Sequence, residues 1–360
     1  METISFARGV PAPECLPVEE LAECARAAVK RDASVLSYGE ASGYRPLREW
    51  IAARHGVTPA EVLVTNGGLQ GFGFLAWHLC RPGARVLVER PTYDRPLRVL
   101  EQIGAEVEAL PMDDEGLEPD ALAEALARGP KPAFLYTIPT FQNPSGRTLS
   151  TERRRGIIDL AHEHDLLVLE DDPYSLVRFE GAAPPSLFEL DESGRVIYAS
   201  SFSKTVAPGA RVGYFVLPAT LLAELQSTIA STYISPALLG QATVFEFLRR
   251  DLFEPNLARV CDLLHARRDA MLDALEDELR SADATWNRPE GGYFLWLELP
   301  GLDTRDLLAA GTREGVVFVP GADFGGPASS ARLAYSFVSP AEIVLGVERL
   351  GAVVSAPAPV

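Results

Sequence analysis

Between residues 45 and 217 the hydrophobic positions form short apolar runs, separated by segments in which apolar residues recur every three or four positions. The runs have the length of strands, and the segments between them have helical periodicity. Runs that are apolar throughout are typical of parallel strands covered by helices on both faces. The pattern therefore predicts an α/β fold with a doubly wound, mostly parallel sheet. The predicted strands are 61–66, 84–90, 106–112, 132–138, 166–171, 195–201 and 211–217, and the predicted helices are 44–57, 69–80, 95–105, 118–129 and 150–165.

The C-terminal third has a different pattern. Residues 218–280 are mostly helical in periodicity and end in a long helix at 253–279, after which short strands and helices alternate up to a helix at 340–351. The chain is thus divided into an N-terminal segment (1–40), a large domain (41–260) and a small C-terminal domain (261–360). Clefts between domains are preferred ligand sites, so this division predicts a site there. The tail at 355–360 is rich in proline, and we expect it to be frayed.

The composition argues against several classes of function. A formal net charge of −17 over 360 residues disfavours nucleic acid as a partner, because phosphate backbones repel an acidic surface. No apolar run approaches the roughly 18 residues of a membrane span. The four cysteines are scattered without metal spacing, and no signal or transit peptide is recognisable, so we expect a cytoplasmic protein with reduced thiols. The histidines lie in helical segments away from the strand ends, and we expect no metal.

Polar side chains gather just after the predicted strands, where ligands bind in open α/β sheets. A turn with Gly67 and Gly68 leads into a helix N-terminus, which is a natural anion site. Together the strand ends fit a flat, phosphorylated aromatic ligand that has a cationic nitrogen and reacts with an amine, and pyridoxal phosphate has these properties. The other residues at strand ends are Tyr93, Asn143, Asp171, Asp172, Tyr174, Ser201, Ser203, Lys204 and Arg211.

Each of these residues also has a purely structural interpretation. Glycine turns are common, Asn143 precedes a proline and is a frequent turn former, and a lone lysine often lies on the surface with its head in water. Lys204, however, is the only lysine after Lys131, and it stands between two segments that predict buried strands. That position favours a chemical role.

Nine segments of the chain, in order, resemble the fold type I pyridoxal-phosphate enzymes, specifically the class I/II aminotransferases. They cover nearly the whole chain and are most similar to the 2-aminoadipate/kynurenine aminotransferase branch, which includes the catalytic half of MocR-type regulators. The resemblance implies a seven-stranded large domain, a smaller C-terminal α/β domain, and an N-terminal segment packed on the small domain and on a partner subunit. The segments are SYGEASGYRPLREWIA, TNGGLQGF, RPTYDRPL, FQNPSGRTLS, LEDDPYSLVRF, SFSKTVAPGARVGY, GGYFLWLEL, VPGADFG and ARLAYSF.

The resemblance also implies roles around the cofactor ring. Lys204 would form the Schiff base with pyridoxal 5′-phosphate and then move the substrate proton. Asp171 would pair with the ring nitrogen; it is preferred over its neighbour at 172 because Tyr174 fixes the Asp-x-x-Tyr register. Tyr174 and Asn143 would hydrogen-bond the ring hydroxyl, and Tyr93 would stack on the ring.

The phosphate of the cofactor would be bound by two hydroxyls, a guanidinium and backbone N–H groups. Other members of the branch often have serine and glutamine where Gly68 and Leu69 stand, so only the backbone is expected to act there, with Gln70 as a candidate replacement donor. The implied phosphate ligands are Ser201, Ser203, Arg211, Gly68 and Leu69, and Tyr38 would reach the phosphate of a neighbouring subunit. A homodimer with shared active sites follows from that last role.

On the substrate side, Arg332 matches the arginine that binds the α-carboxylate, which a planar guanidinium recognises with two hydrogen bonds. Asn143 and Gly9 would also contact the substrate. Arg8 stands where the family usually has a small residue, and we expect Arg8 or Gly9 to line the substrate entrance, with a solvent-exposed arginine as the alternative for Arg8.

These roles predict a pyridoxal-phosphate-dependent aminotransferase that moves an amino group from an L-amino acid to a 2-oxo acid by a ping-pong mechanism. The branch implies 2-aminoadipate, aromatic or aliphatic donors and 2-oxoglutarate as acceptor. The main alternative is another reaction of the same cofactor, by an oxidase, lyase, decarboxylase or racemase, since all would keep Lys204 and Asp171. Arg332 and the full ring-binding set favour transamination. A MocR-type regulator is disfavoured because the match begins near residue 4, before which no winged-helix domain fits.

Overall fold

The structure is a computed structural model that describes residues 2–280 and 282–355, so the tail after Ser355 lies outside the described residues. The strands are β1 (Ile4–Ser5), β2 (Val62–Thr65), β3 (Arg85–Arg90), β4 (Glu106–Asp113), β5 (Gly116–Leu117), β6 (Phe134–Thr137), β7 (Val168–Asp171), β8 (Val196–Ser201), β9 (Gly213–Val216), β10 (Thr285–Trp286), β11 (Phe294–Glu298), β12 (Val316–Val317), β13 (Val319–Pro320) and β14 (Ser330–Ala334).

The helices alternate with the strands in the first two thirds of the chain, as the periodicity predicts. They are α1 (Val18–Arg31), α2 (Arg45–His55), α3 (Gly68–Leu79), α4 (Asp94–Ile103), α5 (Pro119–Leu126), α6 (Thr151–Glu163), α7 (Leu187–Leu190), α8 (Ala219–Tyr233), α9 (Leu238–Arg249), α10 (Phe253–Leu279), α11 (Thr304–Arg313) and α12 (Pro340–Ser355). Two of these, α1 and α7, are not predicted from the sequence. In α1 the apolar residues Leu21, Cys24, Ala25, Ala28 and Val29 recur at helical spacing, a pattern that was not used, whereas α7 has only four residues, too few to show a period.

A large mixed sheet confirms the predicted α/β class. Its strand order is β2-β9-β8-β7-β6-β3-β4-β5, and the strands from β8 to β4 run parallel. Strand β9 is antiparallel to both of its neighbours. Because β3, β6, β7 and β8 are parallel, their carboxyl ends meet at one edge of the sheet, where ligands bind in such folds.

The sheet has eight strands, whereas the resemblance implied seven. The additional strand, β5, has two residues and pairs antiparallel with the end of β4 through Met112 and Asp113. A two-residue strand is too short to produce an alternating apolar pattern, so the sequence could not predict it. The other seven strands of the sheet are the seven that the sequence predicted.

A smaller antiparallel sheet, with the order β10-β11-β14-β13, contains all the described strands of the C-terminal third except β12. The start of the chain returns to this region, since Ile4 of β1 pairs with Val316 of β12 in a parallel two-stranded sheet. The N-terminal residues therefore lie beside the C-terminal strands.

Helix α10 connects the hydrophobic core near the large sheet with the core near the small sheet. Phe253 at its start packs against the ring of Phe202, whereas Met271 and Leu275 pack in the cluster that contains Leu295 of β11. The predicted boundary between residues 260 and 261 falls inside this helix, and the division into domains stays a prediction. No helix among the described residues has the length and the apolar composition to cross a membrane.

Candidate active site

A cavity of about 920 Å³ lies at the carboxyl ends of the parallel strands, between the large sheet and residues of β11 and β14. It brings together twelve of the thirteen residues that the sequence analysis assigned to a site; Tyr38 is the exception. A second cavity, of about 800 Å³, contains none of the thirteen. The twelve residues at the first cavity are Gly9, Gly68, Leu69, Tyr93, Asn143, Asp171, Tyr174, Ser201, Ser203, Lys204, Arg211 and Arg332.

Lys204 lies in the turn after β8 and points into the cavity. Its Nζ donates a hydrogen bond of 2.8 Å to the carbonyl oxygen of Gly9, and it lies 5.1 Å from the ring centre of Tyr293. Burial and the nearby Arg332 lower the pKa of the amine to about 8, against a smaller opposing effect of Asp171. A substantial fraction of the amine is therefore neutral near physiological pH, and a neutral amine is a nucleophile and a base.

Three successive acids at the end of β7 have three different environments. Glu170 is fully buried and accepts hydrogen bonds from the backbone N–H groups of Leu187 and Phe188, which hold α7. Asp172 points away from the cavity and accepts from the hydroxyl of Tyr198 at 2.9 Å. Asp171 alone lines the cavity, and burial raises its pKa to about 6. The side chain chosen from the sequence register is thus the one that faces the cavity.

Arg332, in the middle of β14, lines the same cavity as Asp171. Its guanidinium lies between the rings of Phe294 and Phe324, at 4.4 and 4.8 Å from their centres. Nη1 donates to Oδ1 of Asn143 at 3.0 Å, and Nη2 donates to the carbonyl oxygen of Ala7 at 2.8 Å. Nε is buried and has no partner among the described residues. Burial lowers the pKa of this arginine to about 10, so it remains a cation at neutral pH.

Two tyrosines form aromatic walls of the cavity. Tyr93 precedes α4, and Tyr174 follows β7 and packs against the rings of Tyr293 and Phe294. Burial raises the pKa of both hydroxyls above the usual value, so both remain protonated and can donate hydrogen bonds. The cavity therefore offers flat apolar surfaces with hydroxyl groups at their edges.

One end of the cavity is built to receive an anion. Gly67 precedes α3 with a φ of 96°, a value that favours glycine, and the first two residues of α3, Gly68 and Leu69, line the cavity with N–H groups that have no partner within the helix. A Cβ on Gly213 would lie 2.4 Å from the Gly68 nitrogen, so the close approach of β9 to this turn requires glycine. Helix N-termini attract anions through these free N–H groups and the helix dipole.

The side chains of Arg211, Ser201 and Ser203 complete this anion-binding end. Arg211 donates from Nη2 to the carbonyl oxygen of Asn66 at 3.1 Å, and Ser201 Oγ accepts from the backbone N–H of Ser203 at 2.9 Å. Gln70 does not lie at the cavity, because its Oε1 accepts from the backbone N–H of Asn66. The expected replacement donor is therefore used to hold the turn itself.

The N-terminal segment closes the opposite side of the cavity. Ala7, Gly9 and Val10 line it, and their carbonyl oxygens accept hydrogen bonds from Arg332, Lys204 and Ser336 respectively. Arg8 is exposed and its guanidinium lies over the ring of Phe337, at 4.5 Å. Of the two residues expected at the substrate entrance, the structure places Gly9 in the cavity wall and Arg8 outside it.

Tyr38 is 78% exposed and lies away from the cavity of its own chain. Several cavity residues were not assigned from the sequence, among them Tyr136, Phe294 and Phe324. Tyr136 is part of an apolar strand run and Phe294 of another, so both were interpreted as core. The sequence did offer one indication for Tyr136. Its polar hydroxyl lies near the end of a strand, two residues before the loop that contains Asn143.

A cluster of Glu180, His265 and Asp269 lies outside the cavity. Arg268 approaches Glu180 at 2.7 Å and Asp269 at 2.7 Å, and Arg288 approaches Glu180 at 3.3 Å. Because arginine side chains already compensate these carboxylates, the cluster is a poor cation site. The expectation that the protein binds no metal stays a prediction.

Comparison with known proteins agrees with this geometry. Residues 5–350 match the family model described as aminotransferase class I and II. The chain is 38% identical to the 2-aminoadipate transaminase of Thermus thermophilus, over 97% of this chain and 89% of that one. It is 34% identical to an aromatic-amino-acid aminotransferase of Thermococcus litoralis, over 97% and 87% of the two chains.

A solved structure extends the comparison to the fold. The α-aminoadipate aminotransferase from Thermus thermophilus, solved with N-(5′-phosphopyridoxyl)-L-leucine, superposes with a TM-score of 0.93 at 37% identity, over 98% of this chain and 92% of that one. The family model and the relatives confirm the resemblance that the motifs indicated. The chain belongs to the class I and II aminotransferase family.

Proposed function

We propose that the protein is a pyridoxal-phosphate-dependent aminotransferase that transfers the amino group of an L-amino acid to a 2-oxo acid in two half-reactions. The observation that carries this proposal is the single cavity in which the partly neutral amine of Lys204, the acid Asp171 and the arginine Arg332 meet. Family membership supports the reaction class, and the residues of the cavity support the cofactor and the roles below.

The side chains of the cavity fit pyridoxal phosphate. The N–H groups of Gly68 and Leu69, together with Arg211, form a cationic end for a phosphate. Asp171 lines the cavity and its Oδ1 has no partner among the described residues, so this oxygen would accept a hydrogen bond from a protonated ring nitrogen. Lys204 supplies the amine with which an aldehyde condenses.

When bound, the cofactor supplies an aldehyde that condenses with amines and a ring that accepts the electron pair released at the substrate carbon. The chain supplies the proton transfer, and Lys204 Nζ is the group that would take the proton from the substrate carbon and return it. Its lowered pKa suits both directions, because proton transfer is most efficient when the pKa lies near the working pH. Asp171 would hold the positive charge on the ring nitrogen.

The remaining polar groups orient the two ligands. Asn143 and Tyr174 lie at the cavity, where their side chains would bond the ring hydroxyl, and Tyr93 would cover one ring face. Arg332 would bind the α-carboxylate of the substrate, and its unpartnered Nε is a donor left for that purpose. Gly9 would be part of the wall next to the substrate.

For the substrates we propose 2-aminoadipate, aromatic or aliphatic amino acids as donors and 2-oxoglutarate as acceptor. The support is the similarity to relatives named for 2-aminoadipate and aromatic amino acids. The apolar rings of Phe294 and Phe324 beside Arg332 agree with donors that have hydrophobic side chains. A cytoplasmic location stays a prediction from the thiol pattern.

We further propose that the active unit is a homodimer. Tyr38 is an aromatic residue that is 78% exposed in the single chain, and a phenol ring is a common interface residue. Leu36 and Leu69 are large apolar residues that are also exposed, the second at the cavity itself. A partner that covers these residues would bring its Tyr38 to the phosphate end of this cavity.

The test of the proposed function is the variant Lys204→Ala, measured for amino transfer and for the visible absorption of the cofactor bound to the protein. We expect both to be lost while the circular dichroism spectrum is unchanged. The matched control is Lys131→Ala, which removes a surface lysine that pairs with Asp165 and should change neither property. Retained turnover in the Lys204→Ala variant would refute the proposal.

A further inference from the structure

The carboxylate of Asp171 has one hydrogen-bond partner among the described residues, and it is a tyrosine to which the sequence assigned no role. The hydroxyl of Tyr136, on the neighbouring strand β6, donates to Asp171 Oδ2 at 2.7 Å. The other oxygen, Oδ1, has no hydrogen-bond partner among the described residues, and Asp171 lines the cavity. One side of the carboxylate is thus fixed by the protein and the other side is open to a ligand.

The protein holds Tyr136 in place and keeps it a donor. The residue is 1% exposed, and its ring packs edge-on against Phe72 at 5.4 Å, which in turn contacts Phe134 at 6.2 Å. Burial and the adjacent Asp171 raise the pKa of the hydroxyl well above its usual value. The hydroxyl therefore keeps its proton throughout the working pH range, and its hydrogen bond always points toward the carboxylate.

Other groups near Asp171 shift its pKa in both directions. Burial and the neighbouring Asp172 favour the neutral acid, whereas the Tyr136 hydrogen bond and, more weakly, the charge of Lys204 favour the carboxylate. The buried acid Glu89 and the phenols Tyr93 and Tyr174 face the same group, and burial raises the pKa of each, which favours their neutral forms.

Lys204 is the only cation in this balance, and under the proposed function it loses its charge during each turnover. The hydrogen bond from Tyr136 does not change in that way. The Tyr136 hydrogen bond therefore favours the ionised form of Asp171 throughout the turnover.

We propose that Tyr136 is a positioning residue that acts through Asp171: its hydroxyl fixes the carboxylate and holds it in the ionised form that pairs with the cofactor ring nitrogen. The role toward the ring nitrogen rests on the proposed function, whereas the hydrogen bond between Tyr136 and Asp171 can be tested in the cofactor-free protein. A hydrogen bond to an ion stabilises it enough to move its titration by about one to two pH units.

The test is a carboxyl carbon-13 NMR titration of the cofactor-free protein labelled at aspartate, with the Asp171 signal assigned by its loss in Asp171→Asn. For the wild-type protein we expect a midpoint at about 6. Tyr136→Phe should move the midpoint up by about one to two pH units, because the neutral acid is then favoured.

The matched control is Tyr198→Phe. It removes a buried tyrosine hydroxyl that donates to the next acid, Asp172, at 2.9 Å, and leaves Asp171 untouched. Its Asp171 midpoint should stay within a few tenths of the wild-type value. Equal midpoints in Tyr136→Phe and Tyr198→Phe would overturn the inference.

A second readout uses the holoenzyme. In Tyr136→Phe, kcat should fall by about ten- to a hundredfold at neutral pH with the amino-donor KM changed less, and the acidic limb of the pH profile should move upward. Should this variant not fold, the wild-type spectrum still decides: a slowly exchanging hydroxyl proton whose chemical shift changes in Asp171→Asn supports the contact, and its absence overturns it. A protein that shows the titration shift but transfers no amino group would refute the proposed function and leave this contact intact.

Discussion

At the scale of single residues, burial gives the candidate site its reactivity. The Lys204 amine lies under Gly9 and beside Arg332, and both its enclosure and that second cation disfavour the charged form. Asp171 is shifted the opposite way, since enclosure favours its neutral form. The two shifts bring a base and an acid toward the same pH range, as in many enzymes that transfer protons near neutrality.

The Lys204 shift predicts how the cofactor-free protein takes up pyridoxal phosphate. Only the neutral amine attacks an aldehyde, so the rate of uptake should rise about tenfold per pH unit below the pKa and level off above about pH 8. Stopped-flow absorbance measurements across pH 6 to 10 record this profile. A rate that keeps rising to pH 10, as for an ordinary lysine, would contradict the buried amine.

At the scale of elements, the anion-binding end depends on the contact between β9 and the turn before α3. A Cβ at Gly213 would approach the Gly68 nitrogen to 2.4 Å, so Gly213→Ala should displace the turn and weaken cofactor binding by about tenfold or more. Gly209→Ala is the matched control in the same loop, because a Cβ there meets no atom within 4 Å. The measurement is the dissociation constant of the cofactor for each variant. Equal constants for Gly213→Ala and Gly209→Ala would show that the turn tolerates the displacement.

The elements were largely predictable because most of them bury one continuous apolar face. The long helix at 253–279 begins and ends as predicted, and each of the seven predicted sheet strands is present. Strand β5 and helix α7 are too short to have a period, and they are positioned by tertiary contacts, which a local pattern does not contain. Helix α1 does have apolar residues at helical spacing, and it was missed because that pattern was not used.

The site was predictable where its residues follow strands, and less so where distant segments meet. Asp171 and Lys204 follow parallel strands, so topology alone brings them together. The placement of Ala7 against Arg332 depends on a contact across more than 300 residues, and only the family resemblance, which put Arg8 or Gly9 at the substrate entrance, indicated it. Tyr136 was missed because a tyrosine within an apolar strand is usually part of the core.

At the scale of the whole molecule, the account expects two copies of the chain to share each site. Tyr38 lies outside the cavity of its own chain, so Tyr38→Ala should weaken cofactor binding only through the partner. Mixing inactive Lys204→Ala with a Tyr38→Ala variant should then restore intact sites in mixed dimers, up to about a quarter of all sites. Activity assays after joint refolding, with size-exclusion chromatography as the control for assembly, test this expectation. No gain over the separate variants would contradict shared sites.

Amino transfer in two half-reactions can be tested in a single experiment that leaves out the acceptor. The holoenzyme is mixed with excess amino donor, and the 2-oxo acid formed is counted against the number of active sites. We expect one equivalent of 2-oxo acid per site, after which the reaction stops until a 2-oxo acid acceptor is added. Continued formation of 2-oxo acid beyond one equivalent, with no acceptor present, would contradict it.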